Sequence, residues 1–74
     1  MDATRGRAYG RFLVRLRTAR EEAGMTQVEA ARRLRRDQAF VSKSETGDRR
    51  VDVMELQAFA RLYGKPVQYF FDPS

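Results

Sequence analysis

Residues 26–47, TQVEAARRLRRDQAFVSKSETG, constrain the fold most, because they hold two helix starts with very little chain between them. Thr26 is a good N-cap whose hydroxyl accepts an orphan amide of the first turn, and Glu29 three residues later suits a capping box. A helix therefore starts at Gln27. Its inward positions are Ala30, Ala31 and Leu34, spaced three to four apart, and the two alanines let a neighbouring helix approach closely. Asp37 is a second N-cap, opening a helix from Gln38 to about Thr46, and Gly47 supplies the left-handed residue that ends it. The link Arg35-Arg36 allows only a sharp reversal, so two short helices meet at a steep angle, the helix-turn-helix geometry of a DNA-reading element.

The pattern TQ-x-E-x-A-x-x-L followed by Q-x-x-V-S-K-x-E-x-G resembles the Xre and phage-repressor (Cro-like) family of bacterial helix-turn-helix transcription factors. The likeness extends back through LRTAREEAG and forward through RRVDVMEL, so it spans nearly the whole chain. It implies an all-α fold, a five-helix repressor-like domain in which helices 2 and 3 form the helix-turn-helix. Three positions depart from the family pattern. Arg35 stands where a turn glycine is usual, implying positive φ at a cost of roughly 1 kcal/mol. Ala30 and Ser44 stand where larger apolar residues are usual, implying a thinner core around the motif.

A chain of 74 residues makes one domain, near the lower limit at which a core holds without staples. It has no cysteine and no histidine. That removes disulfides, thiolate metal sites and the commonest general base, so no metal, cofactor or enzymatic activity is expected. No apolar run is long enough for a bilayer, and MDATRGRAYG lacks the apolar core of a signal peptide, so a soluble, cytoplasmic and nucleoid-associated protein is expected. The net charge of +5 is unevenly spread: residues 1–50 carry +6 and residues 51–74 carry −1. A basic front and a near-neutral tail assign one face to a polyanion and another to different contacts.

In chain order, residues 1–7 form a flexible N-terminal arm, from which Arg5 and Arg7 are within reach of a phosphate or minor groove, and residues 8–74 form the domain. From about Ala8, Tyr9, Phe12, Leu13, Leu16, Ala19 and Ala23 repeat at helical spacing up to Gly24. Arg20 matches the family arginine that pairs with the glutamate matching Glu45, which implies a structural ion pair tying helix 1 to the end of helix 3. After Gly47, Asp52 and Glu55 form a capping box for a helix running to Tyr63, with Val53, Leu56, Phe59, Ala60 and Tyr63 inward. Pro66 suits the start of a fifth short helix, PVQYFF, ending before Asp72-Pro73.

Double-stranded DNA is the expected partner. Helix 3 enters the major groove with its N-terminal half leading. Gln38 is the first base reader, since an amide pairs bidentately with adenine, and the resemblance adds weight to that position. Ala39 offers a methyl to thymine, Lys43 donates to guanine, and Ser42 reaches a base or a phosphate. Backbone candidates are Gln27 at a helix N-terminus, Arg36 beside the turn, and Arg49 and Arg50 just after helix 3. Phe40 packs on a sugar or thymine methyl, or folds back over helix 2. Val41 belongs to the core, and the Ser44 hydroxyl to a backbone carbonyl.

One such module makes too few base contacts to select a genomic site, so a homodimer on a palindromic operator is expected. Tyr69, Phe70 and Phe71 offer an aromatic dimer interface, while Phe70 and one neighbour are also placed to plug the bottom of a small core, and both roles are compatible. The expected function is a sequence-specific DNA-binding transcriptional regulator, acting as a repressor or, by placement, an activator, with no small-molecule ligand. The rival is a protein-binding adaptor or antitoxin whose aromatic tail caps a partner protein. The two differ in one observable: the adaptor binds DNA weakly and without sequence preference.

Overall fold

The computed structural model describes residues 3–71, with side-chain positions from residue 6 onward. The Arg5 side chain and the expected chain end at Asp72-Pro73 lie outside the described residues. Four α-helices follow one another: α1 (Ala3–Glu22), α2 (Gln27–Leu34), α3 (Gln38–Thr46) and α4 (Val53–Tyr63). The chain then closes with a 3-10 helix, Val67–Phe71, and no strand occurs among the described residues. None of these helices is long and apolar enough to cross a membrane.

Capping chemistry sets most of the boundaries. Thr26 and Asp37 both sit in extended backbone, and their side-chain oxygens accept the amides of Glu29 at 3.1 Å and Phe40 at 3.0 Å. Asp52 accepts the Glu55 amide at 2.8 Å, and the Glu55 carboxylate accepts the Asp52 amide at 3.1 Å, closing a capping box. Glu29 makes no such return bond to Thr26, so the box expected there is only half formed. Gly47 ends α3 at φ 90°, which favours glycine, and a Cβ there would sit 3.0 Å from the end of the Leu13 side chain, which would have to shift slightly.

Arg35 ends α2 at φ 59° and ψ 41°, the left-handed region, and the amides of Arg35 and Arg36 turn back to Arg32 and Ala31 carbonyls at 3.1 and 2.9 Å. A side chain in this conformation costs about 1–2 kcal/mol, and glycine would lose roughly 0.5–1 kcal/mol of that gain to chain entropy. Arg35→Gly is therefore expected to raise the unfolding free energy by about 0.5–1 kcal/mol in urea titration. An unchanged or lower midpoint would mean the turn carries no strain.

The core is built from α1 residues Phe12, Leu16 and Ala19, Ala30 and Ala31 of α2, Phe40 and Val41 of α3, Phe59, Ala60 and Tyr63 of α4, and Phe70. Aromatic rings knit it together: Phe59 stacks between Phe40 at 5.7 Å and Tyr63 at 5.8 Å, while Phe12 meets Phe70 at 6.2 Å. The Tyr9 hydroxyl accepts the Val51 amide at 3.0 Å, joining α1 to the loop that follows α3.

Three expectations about these elements change. Helix α1 begins at Ala3, not near Ala8, so part of the expected arm continues the helix. The fifth element is a 3-10 turn, closed by the Tyr69 amide on the Pro66 carbonyl at 3.0 Å; so short a segment closes i→i+3 bonds with fewer ordered residues than an α-turn needs. Val53 is 79% exposed, because it opens the first turn of α4 before the inward stripe starts at Leu56.

Candidate nucleic-acid interface

Helix α3 divides into two faces. Phe40, Val41 and Ser44 are buried, and the Ser44 hydroxyl donates to the Phe40 carbonyl at 2.6 Å. Gln38, Ala39 and Lys43 are exposed and Ser42 is half-exposed. Residues 38, 39, 42 and 43 fall at i, i+1, i+4 and i+5, which one helical face presents together.

Behind this face runs a chain of side-chain contacts. The Arg20 guanidinium grips the Glu45 carboxylate twice, Nε to Oε2 at 2.6 Å and Nη2 to Oε1 at 3.1 Å, and its Nη1 donates to the Met25 carbonyl at 2.9 Å. The two side chains are only 11% and 4% exposed. Bonding to Glu45 raises the Arg20 pKa above its already high ordinary value, with burial acting the other way. Gln27 Nε2 donates to Glu45 Oε1 at 3.1 Å, and Gln38 Nε2 reaches Gln27 Oε1 in a long contact of 3.5 Å. Gln27 thus sits between the ion pair and the exposed face, and its amide donor is engaged within the protein.

Tyr63 lies beside this pair, 5% exposed, and its hydroxyl has no hydrogen-bond partner among the described residues. Burial pushes its phenol well above the ordinary value of 10.0; the Glu45 charge adds to that, and Arg20 opposes it. An unfolded chain releases this proton near pH 10 while the folded chain keeps it. The stability from the neutral phenol is thus complete below pH 10 and is lost as pH rises further. Tyr63→Phe removes both the unpaired hydroxyl and this titration. It is expected to gain about 1 kcal/mol at pH 7 and to flatten the alkaline loss in denaturant titrations at two pH values. A destabilised variant at pH 7 would reveal a partner for the hydroxyl.

The arginines around α3 differ in availability. Arg36 is exposed, with its guanidinium 3.8 Å from the centre of the Phe40 ring. Arg50 is exposed and lies over the Tyr9 ring at 4.3 Å. Arg49, expected as a backbone clamp, is instead bonded to Glu55 of α4 at 2.9 and 2.8 Å and to Ser44 Oγ at 3.2 Å. Bonding to Arg49 holds the Glu55 carboxyl below its ordinary range, against the opposing effect of burial; the Asp52 amide and the charges of Arg49 and Arg36 add to the lowering. Its stabilisation is therefore present above the ordinary carboxylate pKa and fades as pH falls through the depressed value.

Two aromatic assignments are corrected. Phe40, expected at a sugar or thymine methyl, is 7% exposed because its ring stacks on Phe59 in the core. Phe70, expected at a dimer interface or, with one neighbour, as a plug at the bottom of the core, takes the second place: it is 1% exposed because it packs against Phe12 and Tyr69. Tyr69 is half-buried, with Arg15 and Lys65 cations over its ring at 4.8 and 4.6 Å. Phe71 remains 61% exposed. In the sequence Glu55 reads only as part of a helix cap. Its bond to Arg49 spans six residues across a loop and follows no helical spacing, so nothing in the pattern announces it.

No curated protein and no solved structure matches the chain. The family model for the helix-turn-helix domain matches residues 11–68, from near the middle of α1 into the closing 3-10 helix. The matched segment contains α2, α3 and α4 whole, and the chain belongs to the helix-turn-helix domain family.

Proposed function

We propose that the chain is a sequence-specific, Xre-type transcriptional regulator that represses by occupying a palindromic operator as a homodimer. The observation that carries this reading is the two-sided character of α3. Its inward residues are locked in the core, and Gln38, Ala39, Ser42 and Lys43 are left as a polar, cationic face fit for a major groove. Arg36 and Arg50 flank that face as phosphate contacts. Work in the cytoplasm at the nucleoid follows from such a role.

For the dimer, the exposed apolar surface supports a site around Phe71 in place of Phe70. Phe71 and Val53 line one cleft of about 350 Å³ together with Tyr9, Phe12 and Leu56. The same exposed side chains favour the second reading, an adaptor or antitoxin that docks a partner protein there.

Selection of bound sequences from a random duplex pool separates the two. The regulator reading expects an enriched palindrome with half-sites about one helical turn apart. On that site Gln38→Ala should cost roughly 1–3 kcal/mol, with little effect on random DNA. Equal losses on both would remove Gln38 as a reader, and a pool without enrichment would favour the adaptor.

A further inference from the structure

The basic residues beside α3 are not all free to meet a polyanion, and the residue that restrains them is an acid on α4. Glu55 takes both terminal nitrogens of Arg49, Nη1 on Oε1 at 2.9 Å and Nη2 on Oε2 at 2.8 Å, and Arg36 Nη1 stands 4.0 Å from the same Oε2. Arg49 is held from two further directions, by Ser44 Oγ at 3.2 Å and by the Phe40 ring, whose centre is 4.5 Å from its guanidinium carbon. The Glu55 side chain is 16% exposed and that of Arg49 30%. Arg50, the next residue, has no carboxylate within ion-pair distance among the described residues.

We propose that Glu55 limits the phosphate-binding charge of the interface: it withholds Arg49 and draws on Arg36, so that the duplex backbone meets fewer arginines than the sequence supplies. This rests on the DNA-binding reading above. To reach a phosphate, Arg49 must give up a bidentate carboxylate, a hydroxyl and an aromatic face. It would also leave a largely buried anion facing an incoming polyanion. Exchanging one anionic partner for another gains little, so Arg49 stays where it is. Phosphate contacts strengthen binding to every sequence alike, whereas base contacts discriminate. Holding back a phosphate contact lowers affinity for every duplex alike and leaves discrimination to Gln38 and Lys43.

The test uses the whole chain, a random-sequence duplex and fluorescence anisotropy across a salt series. Glu55→Gln keeps a side chain that serves at the third position of a capping box but removes the charge. It should bind random duplex more tightly, and each arginine released should steepen the log affinity against log salt slope by about 0.9. An unchanged slope, in a variant that melts like the parent, overturns the proposal. Arg49→Ala gives an independent reading. A withheld arginine makes no phosphate contact, so the parental slope should be kept, whereas a slope shallower by about 0.9 shows that Arg49 was clamping the backbone and overturns the proposal. If the parent protein itself binds no duplex at low salt, the DNA-binding reading fails and this inference with it, an outcome distinct from a parent that binds with an unaltered slope in Glu55→Gln.

Discussion

Glu45→Ala is expected to destabilise the domain by roughly 3–5 kcal/mol. The loss comes less from the missing attraction than from what stays behind. Arg20 remains 11% exposed with its charge unmatched, keeping only the Met25 carbonyl. Gln27 loses the acceptor for its amide at the same time. A domain of this size has roughly 4–11 kcal/mol to lose, so the variant should unfold at a much lower urea concentration than the parent. Replacing both partners with apolar residues, Arg20→Met with Glu45→Leu, should recover most of the loss, because no buried charge is stranded. A single variant that melts like the parent would show that the pair is solvated in solution. A double variant as weak as the single would show instead that the polar contacts themselves hold α3 on α1.

Phe59→Ala is expected to cost a further distinct 3–5 kcal/mol, about the full amount for emptying a ring from a core. Phe59 is wholly buried and is the middle ring of the stack from Phe40 to Tyr63, so its removal leaves both neighbours without a face to pack on. Ala30, Ala31 and Ala60 bring small side chains and tight backbone to the same core, which leaves little material to collapse into the hole. Phe59→Leu, which keeps most of the volume, should lose much less. Equal losses for both would indicate that the aromatic stacking, and not the cavity, carries the energy. Thermal and urea unfolding of the two variants decides.

The helix starts were legible because capping is local chemistry. Thr26, Asp37 and Asp52 each meet an amide three residues on, and the chain between them is too short for another arrangement. The left-handed turn at Arg35 was reached through the resemblance, which marks a glycine position that this chain fills with arginine. What escaped was set by packing between distant segments. Phe40 lies in the first turn of α3, and only the position of Phe59 on another helix decides that its ring turns inward. Phe70 and Phe71 are adjacent and chemically alike, yet one is 1% and the other 61% exposed, because the 3-10 turn offers one of them to Phe12. On the outer face of α3 the exposed residues could be read from helical spacing alone. The partnership of Arg49 with Glu55 could not, since a loop has no fixed period.

The bond from the Val51 amide to the Tyr9 hydroxyl gives the domain an internal reporter. Val51 lies in the loop between α3 and α4, and its amide belongs to no helix, so among the described residues its hydrogen-bonded shelter is a side chain 42 residues away. Exchange of that one proton with solvent deuterium therefore tracks the undocking of the front of α1, while amides inside α3 track the unfolding of the helix itself. The ratio of the two rates separates a domain that breathes at its edge from one that opens as a whole.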